Sequence, residues 1–259
     1  MVKAISQAID KDKIVREVLA GYGVTINDPI PPNMVQYQKL SREDNIPREQ
    51  ILEQVQSDLT KAGWNKNTEC FLEKTTTEKK KKVVTPLVFT ISTSNAPELA
   101  QTAELIKEDL QKIGMNVDVK TFEAGNLNQS VIRPRKYDTL LFGQIINHES
   151  DLYGFWHSSQ RKDPGLNIAS YTNAKVDKIL EDAFVTVNEE TRIKKYIQFE
   201  EEIRKDMPAI FLYSPNFIYV VSSELQGLSL NHITTQSDRF SDVYAWYLNT
   251  EQVWKIFIN

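Results

Sequence analysis

The chain has 259 residues, 41% hydrophobic and 25% charged, the balance of an ordinary globular protein with room for one substantial core or two modest ones. A net charge of −4 supplies no basic field for nucleic acid, and the single cysteine, Cys70, excludes an internal disulfide or a cysteine-based zinc site. No apolar run reaches the ~18 residues that span a bilayer; the longest candidate, 209–221, is broken by Ser214, Pro215 and Asn216.

Ala4, Ile5, Ala8 and Ile9 share one face of a predicted first helix, with no signal-peptide hydrophobic stretch before it. Asp10 is placed to cap a second helix that carries Ile14, Val15, Val18 and Leu19 and ends at Gly21 and Gly23. Residues 28–33, rich in proline, read as a stiff loop poor in backbone donors. Pro47 then opens a helix with Ile51, Leu52, Val55 and Leu59 on one side, closed by Gly63.

Between Glu69 and Ser92 the period changes to two. The Thr/Lys tract ending in 79–82 predicts the solvated tip of a β-hairpin, with Leu87, Phe89 and Ile91 on its outgoing arm. Asn95 is placed to cap the next helix, with Glu98 at its third position; Leu99, Ala103, Ile106, Leu110 and Ile113 recur at steps of four and three up to Gly114. Val117, Val119 and Phe122 alternate again, so strand, helix and strand form a βαβ unit with a parallel pair. A helical connection at 127–132 leads to the apolar run 137–143, which predicts a strand buried on both faces. Residues 144–173 are polar and aromatic without periodicity, and loops of that length in a compact domain usually carry function. Two helices follow. One carries Val176, Ile179, Leu180, Ala183 and Phe184; the other, capped near Asn188, carries Ile193, Tyr196, Ile197 and Ile203. Beyond Pro208, the stretches 209–221 and 243–258 read as aromatic-rich strands.

Catalytic patterns are scarce. His148, His157 and His232 lack the spacing of metal ligands, the few glycines form no phosphate-cradling loop, and no cofactor site is expected. Glu200, Glu201 and Glu202 read as the solvated face of a helix. Glu149 and Asp151 are the most plausible carboxylate pair. A hydrolase built on them needs two carboxyl groups facing each other at ~5–10 Å, whereas loop solvation and turn capping use the same residues without chemistry. Recognition is the stronger signal. Ligands in open α/β sheets settle beyond the carboxyl ends of parallel strands, where amides, hydroxyls and aromatic faces suit a flexible polar ligand. The candidate ligand-binding residues are Gln144, Asn147, His148, Glu149, Asp151 and Trp156, with Arg133 from the preceding connection; Trp156 reads equally as a core anchor.

Several stretches carry a family resemblance through their shared order. They are Ala4-Ile5-Ser6-Gln7-Ala8-Ile9-Asp10-Lys11 with Ile14-Val15, Pro29-Ile30-Pro31-Pro32, Leu59 with Ala62-Gly63-Trp64, and Tyr137-Asp138. Further on come Phe155-Trp156-His157-Ser158-Ser159-Gln160, Asn167-Ile168-Ala169-Ser170-Tyr171 with Asn173 and Val176-Asp177, and Pro208-Ala209-Ile210. Over nearly the whole chain this order resembles the C-terminal half of the family 5 extracellular solute-binding proteins, the oligopeptide and dipeptide receptors of ABC importers.

The resemblance implies an α/β fold: a type II periplasmic-binding-protein-like C-terminal lobe, its mixed sheet flanked by helices, with the N-terminal lobe missing. On this reading Met1 is an introduced start, and truncation explains the missing signal peptide. Residues 1–212 would form the ligand-binding lobe, and 213–259 would return to the missing lobe and expose apolar surface without it. The implied function is not enzymatic. The protein would be the substrate-binding component of an ABC importer, gripping extended peptides through their backbone between two lobes that close about a hinge. It would deliver them to a membrane permease, and nucleic acid is not among the implied partners. At full length it would be monomeric, periplasmic or extracellular, and tethered as a lipoprotein. Receptors of the family also take nickel complexes, opines and oligosaccharides, which stay open as ligands. In its peptide receptors an aspartate in the loop after the 137–143 strand pairs with the ligand's α-amino group. The matching position here is Asn147, a neutral amide without the charge-assisted hydrogen bond, which leaves Glu149 or Asp151 to supply the charge. Gln144 stands where some relatives have a tryptophan.

Overall fold

The structure, a computed structural model, describes residues 1–31, 46–78, 81–229 and 236–248. Its centre is the βαβ unit. β5 (Val88–Ser94) and β6 (Asn116–Phe122) run parallel, in register from Val88↔Asn116 to Ser94↔Phe122, and helix α4 (Pro97–Lys112) crosses between them. β7 (Thr139–Leu140) joins the other side of β5, also parallel, giving the order β6-β5-β7. The central strand buries Ile91, Ser92 and Thr93, and α4 lays Ala103, Ile106 and Leu110 over the sheet. Gly114 takes φ +89°, and a Cβ there would stand 3.1 Å from the Cys70 carbonyl oxygen, so this sharp exit from α4 needs glycine.

The cap of α4 differs from expectation by one residue. Pro97 takes the first helical position and Ala96 the cap position, so Glu98 comes second. Asn95 lies outside, its N–H donating to the Phe122 carbonyl at 2.7 Å.

Two strands also differ. The hairpin consists of β3 (Leu72–Glu78) and β4 (Lys81–Pro86), with β2 (Trp64–Lys66) on the far side of β3. Leu87, Phe89 and Ile91 are not its outgoing arm. After Pro86 the chain leaves for the parallel sheet, where these side chains join the main core. Period two describes either destination equally well. β4 is exposed along its length, including Lys81 and Lys82; Lys79 and Lys80 lie outside the described residues. The run 137–143, expected as a strand buried on both faces, forms only β7, at the edge of its sheet, with Thr139 exposed and Phe142 46% exposed. An apolar run does not announce whether neighbours will cover both its faces.

Helices close two cores around this frame. α1 (Val2–Ala8), α2 (Lys11–Val18) and α3 (Arg48–Lys61) pack with α4 and the sheet. Asp10 caps α2 as expected, accepting from the Lys13 N–H at 2.8 Å. The buried carboxylate of Asp109 accepts the Asp10 N–H at 2.8 Å and pairs with Lys112 at 2.8 Å, which fastens α2 to α4. The second core joins α6 (Asp151–Trp156), α7 (Ala174–Val185) and α8 (Glu189–Asp206) through Trp156, Val176, Leu180, Phe199 and Ile203. Asn173 and Asn188 cap α7 and α8 with their side chains. α5 (Ala124–Asn126) runs into a π-helical turn, Leu127–Ile132, where the helical connection was expected.

The triple glutamate on α8 is solvated only at Glu201. Glu202 pairs with Lys175 at 2.6 Å. Burial pushes the Glu200 carboxyl up to about 7; Asp28 adds to the rise and Arg204 opposes it.

The aromatic C-terminal stretches form little regular structure. β8 (Tyr213–Pro215) pairs antiparallel with β1 (Gly23–Thr25), and β9 (Leu225–Gln226) pairs with β10 (Tyr247–Leu248). The long strands expected at 209–221 and 243–258 shrink to these pieces, and 249–259 lie outside the described residues.

Candidate functional site

The parallel strands β5 and β7 end together. The Leu141 N–H still donates to the Ser92 carbonyl at 2.9 Å, and the Leu141 carbonyl accepts from the Thr93 hydroxyl at 2.9 Å. These are the last anchors of the strand. From 142 to 146 the backbone makes no hydrogen bond among the described residues. The next anchor is Asp151 at the first turn of α6, whose Oδ2 accepts the N–H groups of Asn147 at 2.9 Å and His148 at 3.1 Å. Ile146 and Leu152 dip into the second core. The result is a strap, 142–148, pinned at both ends at the carboxyl edge of the sheet, with free amides in its middle.

The sequence candidates divide over this strap. Gln144 and Asn147 lie on it half-buried, and His148 is exposed. The Oδ1 of Asn147 is buried without a partner, an omission that ordinarily costs about 1–3 kcal/mol. Glu149 and Asp151 support the strap from its inner end. Glu149 accepts from Arg192 of α8 at 2.9 Å, with its side chain 14% exposed; burial, helped by this carboxylate, pushes the nearby Tyr196 phenol up to about 12. Asp151 is committed to the backbone N–H groups. The two carboxylates thus serve separate partners, Glu149 an arginine of α8 and Asp151 the backbone of the strap.

Trp156 sits beneath the strap in the core, 4% exposed, with ring centroids 5.8 Å from Phe211, 6.3 Å from Phe199 and 6.4 Å from Tyr171. Its indole N–H has no partner. Arg133 does not join the strap residues. It follows the π-helical turn and grips Asp163 with two hydrogen bonds, 2.9 and 2.8 Å, which holds the Asp163 carboxyl below its usual range.

The residues that lock the long loop behind the strap stand in the stretches that carry the family resemblance, but the sequence did not show this role for them. Asn167, fully buried, donates to the carbonyls of Trp156, His157 and Tyr171 and accepts the Tyr171 N–H. His157 stacks on Tyr153 at 4.2 Å, and its ring nitrogens contact Ser159 at 2.8 Å and Glu181 at 3.3 Å. Asp177 of α7 accepts from both the N–H and the hydroxyl of Ser158. A buried asparagine among polar loop residues leaves no periodic trace; its place in a motif of the family resemblance and in a stretch too long to be unstructured hints at it. Among the described residues, no cluster of three or more His, Cys, Asp or Glu is arranged to hold a metal ion, and no helix is long and apolar enough to cross a membrane.

A parallel sheet whose carboxyl edge opens into a strap with unpaired backbone groups is the α/β arrangement in which ligands settle beyond the strand ends. The chain belongs to the bacterial extracellular solute-binding proteins, family 5, whose middle-region model matches residues 2–164. It is 30% identical over 229 residues to the oligopeptide-binding protein AppA of Bacillus subtilis (strain 168), covering 87% of this chain and 40% of that protein. The solved structure of AppA in complex with a nonapeptide matches with a TM-score of 0.70 at 26% identity, over 96% of this chain and 47% of that one. NikZ from Campylobacter jejuni, in complex with Ni(L-His), matches at 0.65 and 25% identity, over 95% and 48%. The chain therefore spans less than half the length of these relatives.

Proposed function

We propose that the chain is the C-terminal, ligand-binding lobe of a receptor that captures peptides in a cleft between two lobes and hands them to an ABC permease. The observation that carries the reading is the strap. Five consecutive residues with unpaired backbone groups, beyond the carboxyl ends of β5 and β7, offer an extended peptide the main-chain hydrogen bonds of strand addition. Membership of a family of extracellular binding proteins, and the likeness to AppA with its nonapeptide, support peptide as the ligand and binding without catalysis as the task. Gln144, Asn147 and His148 are the side chains we assign to ligand contact; Glu149, Asp151 and Trp156 keep the strap in shape. The complete receptor works outside the cytoplasm, tethered as a lipoprotein and monomeric.

Residues 213–259 are proposed to return to the other lobe. Ile218, Val220, Tyr244 and Tyr247 are each more than half exposed here, an apolar surface a partner lobe would cover.

Native mass spectrometry of the complete receptor tests the ligand class. Co-purified peptides are expected; a metal complex in their place would assign it to the nickel-binding branch that NikZ represents. By itself this lobe leaves most of a ligand in water, so calorimetry on the chain alone should give no sub-micromolar affinity.

A further inference from the structure

The edge of the parallel sheet opposite the strap carries the β3–β4 hairpin. It is rooted where β5 and β6 begin. The Leu72 N–H donates to the Gly114 carbonyl at 2.7 Å, the Leu87 N–H to Leu72 at 2.8 Å, and the Asn116 N–H to Leu87 at 3.1 Å. The strap leaves from the carboxyl ends of the sheet, roughly 20 Å away along a strand of seven residues. β2 flanks only the root of the hairpin, pairing with Leu72 to Lys74 of β3. Beyond it, the pairs from Thr75↔Val84 to Glu78↔Lys81 have no third strand, and β4 is exposed at each of its positions.

The charge of this hairpin opposes that of the rest of the chain. Residues 72–86 hold five lysines, two glutamates and no arginine, a net +3 in a chain that totals −4, so the remainder carries −7. Four of the lysines are consecutive, at 79–82. Neither Lys81 nor Lys82 forms an ion pair among the described residues. A run of like charge on a solvated strand repels itself, and an anionic surface relieves that repulsion. Val83 and Val84, 39% and 52% exposed, follow the run on the two faces of β4.

The residue types select the kind of surface. Arginine forks suit fixed carboxylate or phosphate groups, whereas ammonium groups are point charges without such geometry. Lysines alone, on a narrow two-stranded prong with apolar side chains beside them, suit a fluid layer of anionic headgroups. There the ammonium groups meet phosphate and the valines reach the acyl boundary.

We propose that the β3–β4 hairpin docks the receptor on an anionic phospholipid bilayer through Lys81, Lys82, Val83 and Val84, with the charges of Lys79 and Lys80 added. Because the hairpin is rooted at the edge opposite the strap, docking leaves the strap open to ligand. The docking presupposes the extracellular, lipid-tethered location proposed above, which keeps a bilayer within reach, and no particular ligand.

Co-sedimentation of the complete receptor, produced without a lipid anchor, tests this with two kinds of vesicle. One is pure phosphatidylcholine; the other is an equal mixture of phosphatidylcholine and phosphatidylglycerol. The wild type should partition onto the mixed vesicles at low salt, be released at high salt, and ignore pure phosphatidylcholine. Lys81→Gln with Lys82→Gln should weaken partitioning about 25-fold, about fivefold per lysine, with the melting temperature unchanged. Replacing both with arginine should preserve it, since the attraction needs charge and not a particular fork. Absence of wild-type binding to the mixed vesicles, equal binding to both kinds, or undiminished binding by the glutamine variant each overturns the docking. Capture by soluble polyglutamate without any vesicle binding overturns it as well, in favour of an acidic protein partner. Peptide binding is read separately, so a receptor that binds peptide but no vesicle loses the docking alone.

Discussion

Residues 1–212 and 213–248 both carry large apolar side chains, and they put them to opposite use. In the first region Ile14, Leu110 and Phe199 are fully buried, because helices of 8 to 18 residues lay apolar faces on the sheet and on one another. In the second, Val220 and Tyr244 are 86% and 84% exposed, and the strands run two or three residues. Beyond those short strand pairs, order there includes Arg239, whose guanidinium lies 4.5 Å from the ring centroid of Phe240, 5.0 Å from Tyr219 and 5.8 Å from Phe217. The lesson is that apolar residues make a core only when something extended enough covers them. The second region lacks such a cover, in keeping with the proposal that it belongs against another lobe.

Mutations that treat the two regions alike should break this comparison or sharpen it. The largest effect is expected at Phe199→Ala, which empties the centre of the second core beneath the strap. Chemical denaturation should register a loss of about 3–5 kcal/mol, and a loss under about 1 would mean the core is not tightly filled. Asp109→Ala strands the Asp10 N–H and releases Lys112, so about 1–3 kcal/mol should go from the same measurement. Asn188→Ala removes the cap of α8 and should cost about 1 kcal/mol, most of it recovered in Asn188→Asp. Tyr244→Ser, in the second region, should stay within about 0.5 kcal/mol in this chain. The same change in a two-lobed receptor should destabilise clearly if a lobe covers Tyr244; equal indifference in both would remove that support.

A pH test probes the margin of the well-packed region. The folded pKa of Glu200, about 7, lies above its ordinary 4.5, so its stabilising contribution is full below ~4.5 and is lost as pH rises through ~7. Glu200→Gln should therefore raise the melting temperature by about 2–4 °C at pH 8 and leave it unchanged at pH 4. A gain at pH 4 that matched the gain at pH 8 would show that the carboxyl is not buried against Asp28.

How much of this was legible beforehand depends on the range of the interaction. Asp10 and Asn188 were readable as caps because a cap satisfies N–H groups two or three residues away, and the periods of α4, α7 and α8 follow from neighbours on one face. The βαβ unit was readable for the same reason. The roles of the site residues were not. Glu149 was a free carboxylate on paper and is an ion pair with Arg192, 43 residues away; Trp156 was balanced between ligand and core until Phe199 and Phe211 closed around it.

The amino-acid sequence by itself determined the helices, the parallel crossover and the family, since each rests on local periodicity or on the order of short motifs. Tertiary structure alone decided that the run 137–143 yields only a short edge strand, that 87–91 quits the hairpin, and that Glu149 pairs with Arg192. Those outcomes turn on which distant groups arrive within hydrogen-bonding or van der Waals reach, and that proximity is set by packing across the whole chain.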